Sequence, residues 1–194
     1  MKQSFLFLAD GFEEIEALTA VDVLRRAGMP VKTVSITESL QVIGAHGVSV
    51  KADTIYDSTL FDDPGWLILP GGMPGAENLY NFAPLQGLLR RHVADKKGRI
   101  AAICAAPAVV LGQLHLLEGH NATCYPGFEG KLYGAKHQDL PVVSDREFIT
   151  ANGPANALVW ALTIVAETLG HVQAQEVAGG MLTYPIPCSS VDFG

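Results

Sequence analysis

Short apolar runs alternate with longer amphipathic stretches along the chain, a pattern typical of strands followed by helices. Buried strands are predicted at residues 4–9, 31–36, 66–69, 99–103 and 148–151, with a weaker strand pair within 44–53. Helices are predicted at residues 13–27, 84–96, 107–114, 154–169 and 173–182. This order predicts an α/β fold whose open, mostly parallel sheet is covered by helices on both faces. With no repeat or long linker, residues 1–194 are predicted to form a single domain.

Three strand-end loops are the places where this architecture predicts a functional site. In open parallel sheets, ligands bind beyond the carboxyl ends of the strands. The loops at residues 10–12, 70–75 and 104–107 all follow predicted strands. We therefore expect their side chains and backbone groups to meet at one edge of the sheet.

Cys104 stands where a buried strand turns into a helix that begins near Pro107. A thiol at a helix N-terminus meets the positive end of the helix dipole and free backbone N–H groups, which predicts a lowered pKa and a reactive thiolate. The turn resembles a nucleophile elbow, although the glycines of the Gly-x-Ser-x-Gly pattern are absent. The alternative is that Cys104 is a small buried hydrophobic residue, as many free cysteines are.

The other two loops offer groups that could act with Cys104. Gly71 and Gly72 follow Pro70, and adjacent glycines can bring backbone N–H groups close to an oxyanion, although they also fit an ordinary strand-exit turn. First-turn acids usually balance the helix dipole, which accounts for Glu13 and Glu14. Glu16 shares a helical row with apolar residues, so its carboxyl is predicted to face the sheet with a raised pKa. Glu13 also falls on the apolar side, so helix geometry leaves the choice between Glu13 and Glu16 open.

Composition excludes several classes of function. The chain has 13 basic and 20 acidic residues, a formal charge of −7, and its Lys and Arg residues occur at most in pairs, which argues against a general binder of nucleic-acid backbones. No apolar run reaches the length that spans a membrane or forms a signal peptide, so a cytoplasmic protein is predicted. Three cysteines without Cys-x-x-Cys spacing argue against a disulfide framework or a zinc site, and neither metal nor cofactor is expected. Cys124 is interpreted as structural on a short strand, and Cys188 as part of an exposed tail.

Five segments together resemble the ThiJ/PfpI superfamily, in its DJ-one branch. The resemblance extends from Phe5 to about Leu182, and the order and spacing of the segments make it specific. The segments are residues 9–16 (ADGFEEIE), 21–28 (VDVLRRAG), 69–76 (LPGGMPGA), 101–107 (AAICAAP) and 150–154 (TANGP).

This resemblance implies a flavodoxin-like three-layer sandwich, usually a homodimer, with Cys104 as the nucleophile on an elbow and open to oxidation to a sulfinic acid. It implies that Glu16, rather than Glu13, is the carboxyl that hydrogen-bonds to the cysteine. It also places Gly72 and Ala105 where family members offer backbone N–H groups to an oxyanion.

The activities that the resemblance implies are deglycation of protein or nucleotide damaged by dicarbonyls, and glyoxalase activity without glutathione. The expected partners are therefore a small carbonyl substrate or a glycated adduct, with nucleic acid only as a damaged substrate. One alternative is a redox sensor or redox-regulated chaperone that works through oxidation of Cys104. Another is a non-catalytic module that binds a small molecule in the same pocket.

The chain departs from the family where a histidine is usual. Tyr125 occupies the position at which branch members often place a histidine near the cysteine, and Ala105 replaces the histidine of the protease branch. No histidine is followed by a glutamate two places on, so protease and amidotransferase activities are not expected. His46 or His137 could substitute spatially, although a surface histidine is the simpler interpretation of each. Tyr125, with Gly71, is predicted to position a substrate; the alternative for Tyr125 is a half-buried packing role.

Overall fold

The computed structural model describes residues 1–94 and 98–183 of the 194-residue chain. Its strands, in chain order, are β1 (Ser4–Leu8), β2 (Val31–Ser35), β3 (Gln41–Ile43), β4 (Ser49–Lys51), β5 (Thr54–Ile55), β6 (Trp66–Leu69), β7 (Arg99–Ile103), β8 (Asn121–Ala122), β9 (Lys136–His137), β10 (Val142–Asp145) and β11 (Phe148–Ala151). Its α-helices are α1 (Glu14–Arg26), α2 (Gly75–Asn81), α3 (Ala83–Ala94), α4 (Ala157–Leu169) and α5 (His171–Gly180). A π-helix covers Pro107–Gly112, and 3-10 turns cover Ser58–Leu60, Glu129–Lys131 and Pro154–Asn156.

Seven of these strands form the central sheet, in the order β10-β11-β7-β6-β1-β2-β5. Every neighbouring pair is parallel except β10 and β11, which are antiparallel. Strands β3 and β4 form a separate antiparallel hairpin, and β8 and β9 form a short parallel pair. The predicted α/β fold with a mostly parallel sheet is confirmed.

Helices cover both faces of the sheet because the central strands are apolar at almost every position. Side chains alternate across a strand, so Leu6 and Leu8 of β1 point to one face while Phe5 and Phe7 point to the other. The first face packs against α1, α4 and α5, and the second packs against α3 and the π-helix. This three-layer arrangement leaves the carboxyl ends of the parallel strands as the edge at which loops meet.

Helix α1 begins and ends close to the sequence-based expectation of residues 13–27. Arg25 and Arg26 lie in its last turn, where positive charge is favourable. Gly28 then adopts φ 72° and donates its N–H to Arg25 O at 3.0 Å, which ends the helix. The registration of α1 matters because it sets which of its first-turn acids face the sheet.

Several elements differ from the sequence-based expectation. The structure adds α2 and the edge strand β10. The strand pair predicted within 44–53 is wrong in position, because β4 falls in this range but its partner β3 ends at Ile43. The predicted helix after Cys104 is a π-helix, in which Gln113 N donates to Ala108 O at 3.2 Å. The predicted strand at Cys124 is wrong, since β8 ends at Ala122. Cys188 and the predicted end of the 84–96 helix lie outside the described residues.

Across residues 1–94 and 98–183, no helix is both long and apolar enough to cross a membrane.

Candidate active site

Cys104 lies directly after β7 in a left-handed backbone conformation. Its φ is 63°, an angle that non-glycine residues rarely adopt and that is held here by neighbouring backbone. The Cys104 N–H donates to Ala151 O at 2.8 Å, and the Cys104 carbonyl accepts from Tyr125 N at 2.8 Å. The residue is 9% exposed, so its side chain is largely but not completely covered. The turn therefore presents one thiol at the carboxyl edge of the sheet.

Glu16 reaches the same place from the first turns of α1. It is fully buried, as its helical row predicts, and its Oε2 accepts a hydrogen bond from Gly71 N at 2.7 Å. Its Oε1 is buried without a hydrogen bond of good geometry within the described part of the chain. Burial raises the pKa of Glu16 to about 7, against the lowering effects of the Gly71 N–H and the Cys104 thiol. The carboxyl is therefore suited to hold a proton beside the sulfur.

Close backbone approach explains why glycine follows Pro70 twice. A Cβ on Gly71 would lie 2.7 Å from Cys104 Cβ and 2.8 Å from Glu16 Oε2. Gly72 has φ 88°, and a Cβ there would overlap Gly11 O. Gly71 thus fixes the spacing between the Glu16 carboxyl and the Cys104 thiol. Gly72 lines the cleft over the thiol that is described below, whereas Gly71 contacts Glu16 and is not among the described residues that line this cleft.

The pKa of the Cys104 thiol is shifted in the direction opposite to the sequence-based expectation. Burial, the charge of Glu16 and the hydrogen bond with Glu16 raise it to about 12. Backbone N–H groups of Gly72 and Ala105 hydrogen-bond to the sulfur and act in the other direction. The helix-terminus argument left out desolvation and the neighbouring carboxylate, which together outweigh these N–H groups.

The two acidic groups form one coupled pair. Two adjacent negative charges are costly in a buried site. After the pair of Glu16 and Cys104 has lost one proton, the second proton therefore leaves only at high pH. When Glu16 keeps its proton, the repulsion is absent and the carboxyl can donate a hydrogen bond to a sulfur anion. At neutral pH, a Cys104 thiolate is therefore favourable only when Glu16 keeps its proton.

A cleft of about 240 Å³ opens over the thiol. The described residues that line it are Glu13, Gly72, Met73, Cys104, Ala105, Tyr125, Phe128 and Pro154. Tyr125 is 44% exposed and packs edge-on against Phe128, with ring centroids 6.3 Å apart. Tyr125 is thus both a half-exposed packing residue and part of the wall of the cleft. Cys124, by contrast, is buried in the core on the other face of the sheet.

Histidine is absent from the described lining residues of this cleft, and His46 approaches it through Glu13. His46 Nδ1 lies 2.8 Å from Glu14 Oε2 and 3.6 Å from Glu13 Oε2. The hydrogen bond to Glu14 raises the pKa of His46. His137 lies on the exposed strand β9. Neither imidazole forms a dyad with Cys104 of the kind used by cysteine proteases.

Glu14 has a larger role than balancing the helix dipole. Its Oε1 accepts from His46 N at 2.8 Å and Val48 N at 3.4 Å, which ties the β3–β4 hairpin to the start of α1. Burial opposes ionisation of Glu14, but hydrogen bonds from His46 and from backbone N–H groups outweigh it and lower its pKa. A Cβ on Gly44 would overlap the carboxyl, so glycine at position 44 was the signal for this contact.

Glu13, Glu14 and His46 also form a group whose donor atoms lie within 4.8 Å of one another. Carboxylate oxygens and an imidazole nitrogen are ligand types that several divalent metals accept. The Nδ1 of His46 is already engaged by Glu14, which makes the group an ion-pair network in this structure.

Comparison with known proteins decides the family. A family model described as the DJ-1/PfpI family matches residues 2–167. The chain belongs to the DJ-1/PfpI family. This family member is 37% identical over 183 residues to protein dj-1beta of Drosophila melanogaster, a match that covers 93% of the chain and 97% of that protein. The match confirms the resemblance to the DJ-one branch.

Other family relatives agree on the fold but differ in length. Oxidized Toxoplasma gondii DJ-1 superimposes with a TM-score of 0.90 at 35% identity, covering 96% of this chain and 100% of that one. Protein DJ-1 homolog B of Arabidopsis thaliana is 37% identical over 188 residues, which is 96% of this chain but 42% of that protein. The chain thus spans less than half the length of this plant relative. Its flavodoxin-like fold is that of the DJ-1/PfpI family.

Proposed function

We propose that this DJ-1/PfpI family member is a cysteine-dependent enzyme that acts on reactive dicarbonyls or on their adducts, in the manner of a deglycase or a glutathione-independent glyoxalase. The observation that carries the proposal is a fully buried Glu16 carboxyl, fixed by the Gly71 N–H at 2.7 Å, beside a thiol whose cleft is also lined by Gly72 and Ala105. A proton carrier, a nucleophile and oxyanion donors are the parts that addition to a carbonyl needs.

In the proposed first step, the Cys104 thiolate attacks the aldehyde carbon of methylglyoxal and forms a carbon–sulfur bond. The carbonyl electron pair moves to oxygen, where the N–H groups of Gly72 and Ala105 stabilise the developing charge. Glu16 gives its proton to that oxygen and becomes a carboxylate. The product of this step is a hemithioacetal on the enzyme.

In the second step, the Glu16 carboxylate removes the proton from the sulfur-bearing carbon, and the neighbouring carbonyl becomes part of an enediolate. The hydroxyl proton on the sulfur-bearing carbon passes to the neighbouring oxygen, and Glu16 returns its proton to the adjacent carbon, which gives a lactate thioester on Cys104. Water then cleaves the thioester and releases lactate and the thiol. Methylglyoxal and one water thus become lactate, so the proposed reaction needs neither an oxidant nor a cofactor.

Lactate formation from methylglyoxal tests this proposal. We expect Cys104→Ser to abolish turnover and Glu16→Gln to reduce it by about 10²-fold or more, the usual contribution of a proton-transfer group. Cys124→Ala is the matched control, because this cysteine is buried in the core on the other face of the sheet. Turnover that persists in Cys104→Ser would eliminate the mechanism.

Two further features belong to the proposal. A homodimer is supported by Ile15 and Leu18 on α1 and Val159 on α4, which are exposed apolar residues on two helices that contact each other. Sedimentation should show a dimer that becomes a monomer in the Ile15→Glu, Leu18→Glu double variant, while Val172→Glu on α5 has no effect.

A cytoplasmic location would keep the Cys104 thiol reduced.

A further inference from the structure

The cleft over Cys104 carries a negative charge on its wall. Among the described residues that line it, Glu13 is charged and the rest are neutral, apart from Cys104 itself. The Glu13 side chain is 12% exposed, so little water surrounds its carboxylate. Its backbone is fixed, because Glu13 N donates to Gly71 O at 3.0 Å. The Glu13 carboxylate thus belongs to the wall of the cleft that contains the Cys104 thiol.

The neighbouring imidazole does not cancel this charge. His46 lies closer to Glu14 than to Glu13, at 2.8 Å against 3.6 Å. Even a protonated His46 supplies one positive charge against two carboxylates. The group of Glu13, Glu14 and His46 therefore remains negative overall, and no lysine or arginine is among the described lining residues.

The other walls strengthen the effect of the charge. Met73, Tyr125, Phe128 and Pro154 present mainly apolar surface to the cleft. Apolar surroundings screen a charge less than water does, so a carboxylate at the wall acts strongly on any charged group that enters. A second anion in this space would be repelled, whereas a neutral or cationic group would not.

We propose that Glu13, held almost buried on the wall of the Cys104 cleft, makes this site select neutral and cationic carbonyl compounds and exclude those that carry a carboxylate or phosphate. As a statement about the natural substrate, this rests on the proposed function. It favours uncharged dicarbonyls and adducts on arginine or lysine side chains, and it disfavours keto acids and sugar phosphates. As a statement about the cleft, it stands without catalysis.

Alkylation of Cys104 tests the charge preference independently of turnover. Iodoacetamide and iodoacetate have nearly the same size and the same leaving group but differ by one negative charge. The reaction rate at Cys104 is measured from the fraction of its proteolytic peptide that carries the added mass at successive times. The rate with iodoacetamide is divided by the rate with iodoacetate, and this ratio is then divided by the same ratio for a free thiol. Taking a ratio cancels differences in thiol pKa and accessibility.

We expect the normalised preference for iodoacetamide to be about tenfold or more in the wild-type protein, as repulsion by one poorly hydrated charge predicts. Glu13→Gln should bring the preference close to that of the free thiol. Glu176→Gln, the same charge change at an exposed position of α5, should keep the wild-type value. A wild-type ratio equal to that of the free thiol, or one that Glu13→Gln leaves in place, would overturn the proposal.

A cationic reagent provides a test that requires no variant. The wild-type protein should react faster with 2-bromoethylammonium than with a neutral alkyl bromide of the same length, after division by the free-thiol rates. The absence of this acceleration contradicts a negative cleft even if Glu13→Gln does not fold. If the wild-type protein forms no lactate from methylglyoxal but shows the expected alkylation preference, the proposed function is refuted and the charge preference of the cleft stands.

Discussion

Replacing Glu16 with glutamine should change how the stability of the protein depends on pH. Burial gives the Glu16 carboxyl a pKa of about 7 in the folded protein, against 4.5 for an ordinary glutamate. The folded state therefore prefers the protonated form. Stability from this group is complete below pH 4.5 and is lost as the pH rises from 4.5 to about 7.

The size of the effect follows from the difference between the two pKa values. At about 1.36 kcal/mol per pH unit, a shift from 4.5 to about 7 corresponds to about 3 kcal/mol. Glutamine has nearly the same shape and does not ionise. Between pH 4.5 and about 8, the wild-type protein should therefore lose about 3 kcal/mol of unfolding free energy relative to Glu16→Gln.

Urea unfolding at a series of pH values measures this difference. The series ends at about pH 8, because ionisation of cysteine in the unfolded chain begins to contribute above it. Glu77→Gln, at an exposed position of α2, controls for the loss of one carboxyl and should follow the wild-type curve. Repeating the comparison with Cys104→Ala in both proteins separates the carboxyl from the thiol. Parallel stability curves for wild type and Glu16→Gln would refute the buried, proton-holding carboxyl.

Three other predictions address the same site. Gly71→Ala should lower the free energy of unfolding in urea by about 1–3 kcal/mol, since the added Cβ would lie 2.7 Å from Cys104 Cβ. In the control Gly130→Ala, the added Cβ meets nothing within 4 Å, so the loss should be small. Equal losses in the two variants would contradict the close approach at Gly71. Glu16→Gln should lower the pKa of Cys104, because the charge of Glu16 and its hydrogen bond raise that pKa in the wild type. The pKa is measured from the alkylation rate as a function of pH. An unchanged or higher pKa would argue against the coupled pair. Mild peroxide should add two oxygen atoms to Cys104 in the intact mass and none in Cys104→Ser, and failure to do so counts against the redox-sensor alternative.

Local pattern was sufficient for the parts of the fold and site that depend on neighbours along the chain. The runs that form β1, β6, β7 and β11 are apolar at almost every position because helices cover both faces, so their boundaries were predictable. The helical row of Glu16 likewise predicted its burial, which the structure confirms. Both inferences need only the period of an element and the side on which the core lies.

Features that depend on distant residues were not predictable in this way. The contact between Glu14 and His46 joins residues 32 positions apart, and it exists because the β3–β4 hairpin folds over the start of α1. The pKa of Cys104 depends on burial by several elements and on a carboxylate supplied by α1, so a judgement from the strand–helix junction alone gave the wrong direction. The short helix α2 and the edge strand β10 lack a strong apolar period of their own.

The backbone of Cys104 is committed on both sides, with its N–H bonded to Ala151 and its carbonyl bonded to Tyr125. Any group attached to the sulfur would consequently be anchored to a backbone of fixed position, whatever the chemistry of that group. Cyanylation of the thiol would place a nitrile there whose stretching frequency reports the local electric field. The nitrile frequency, measured in the wild type and with Glu13 or Glu16 replaced in turn, would separate the contribution of each carboxyl to the electric field at the sulfur.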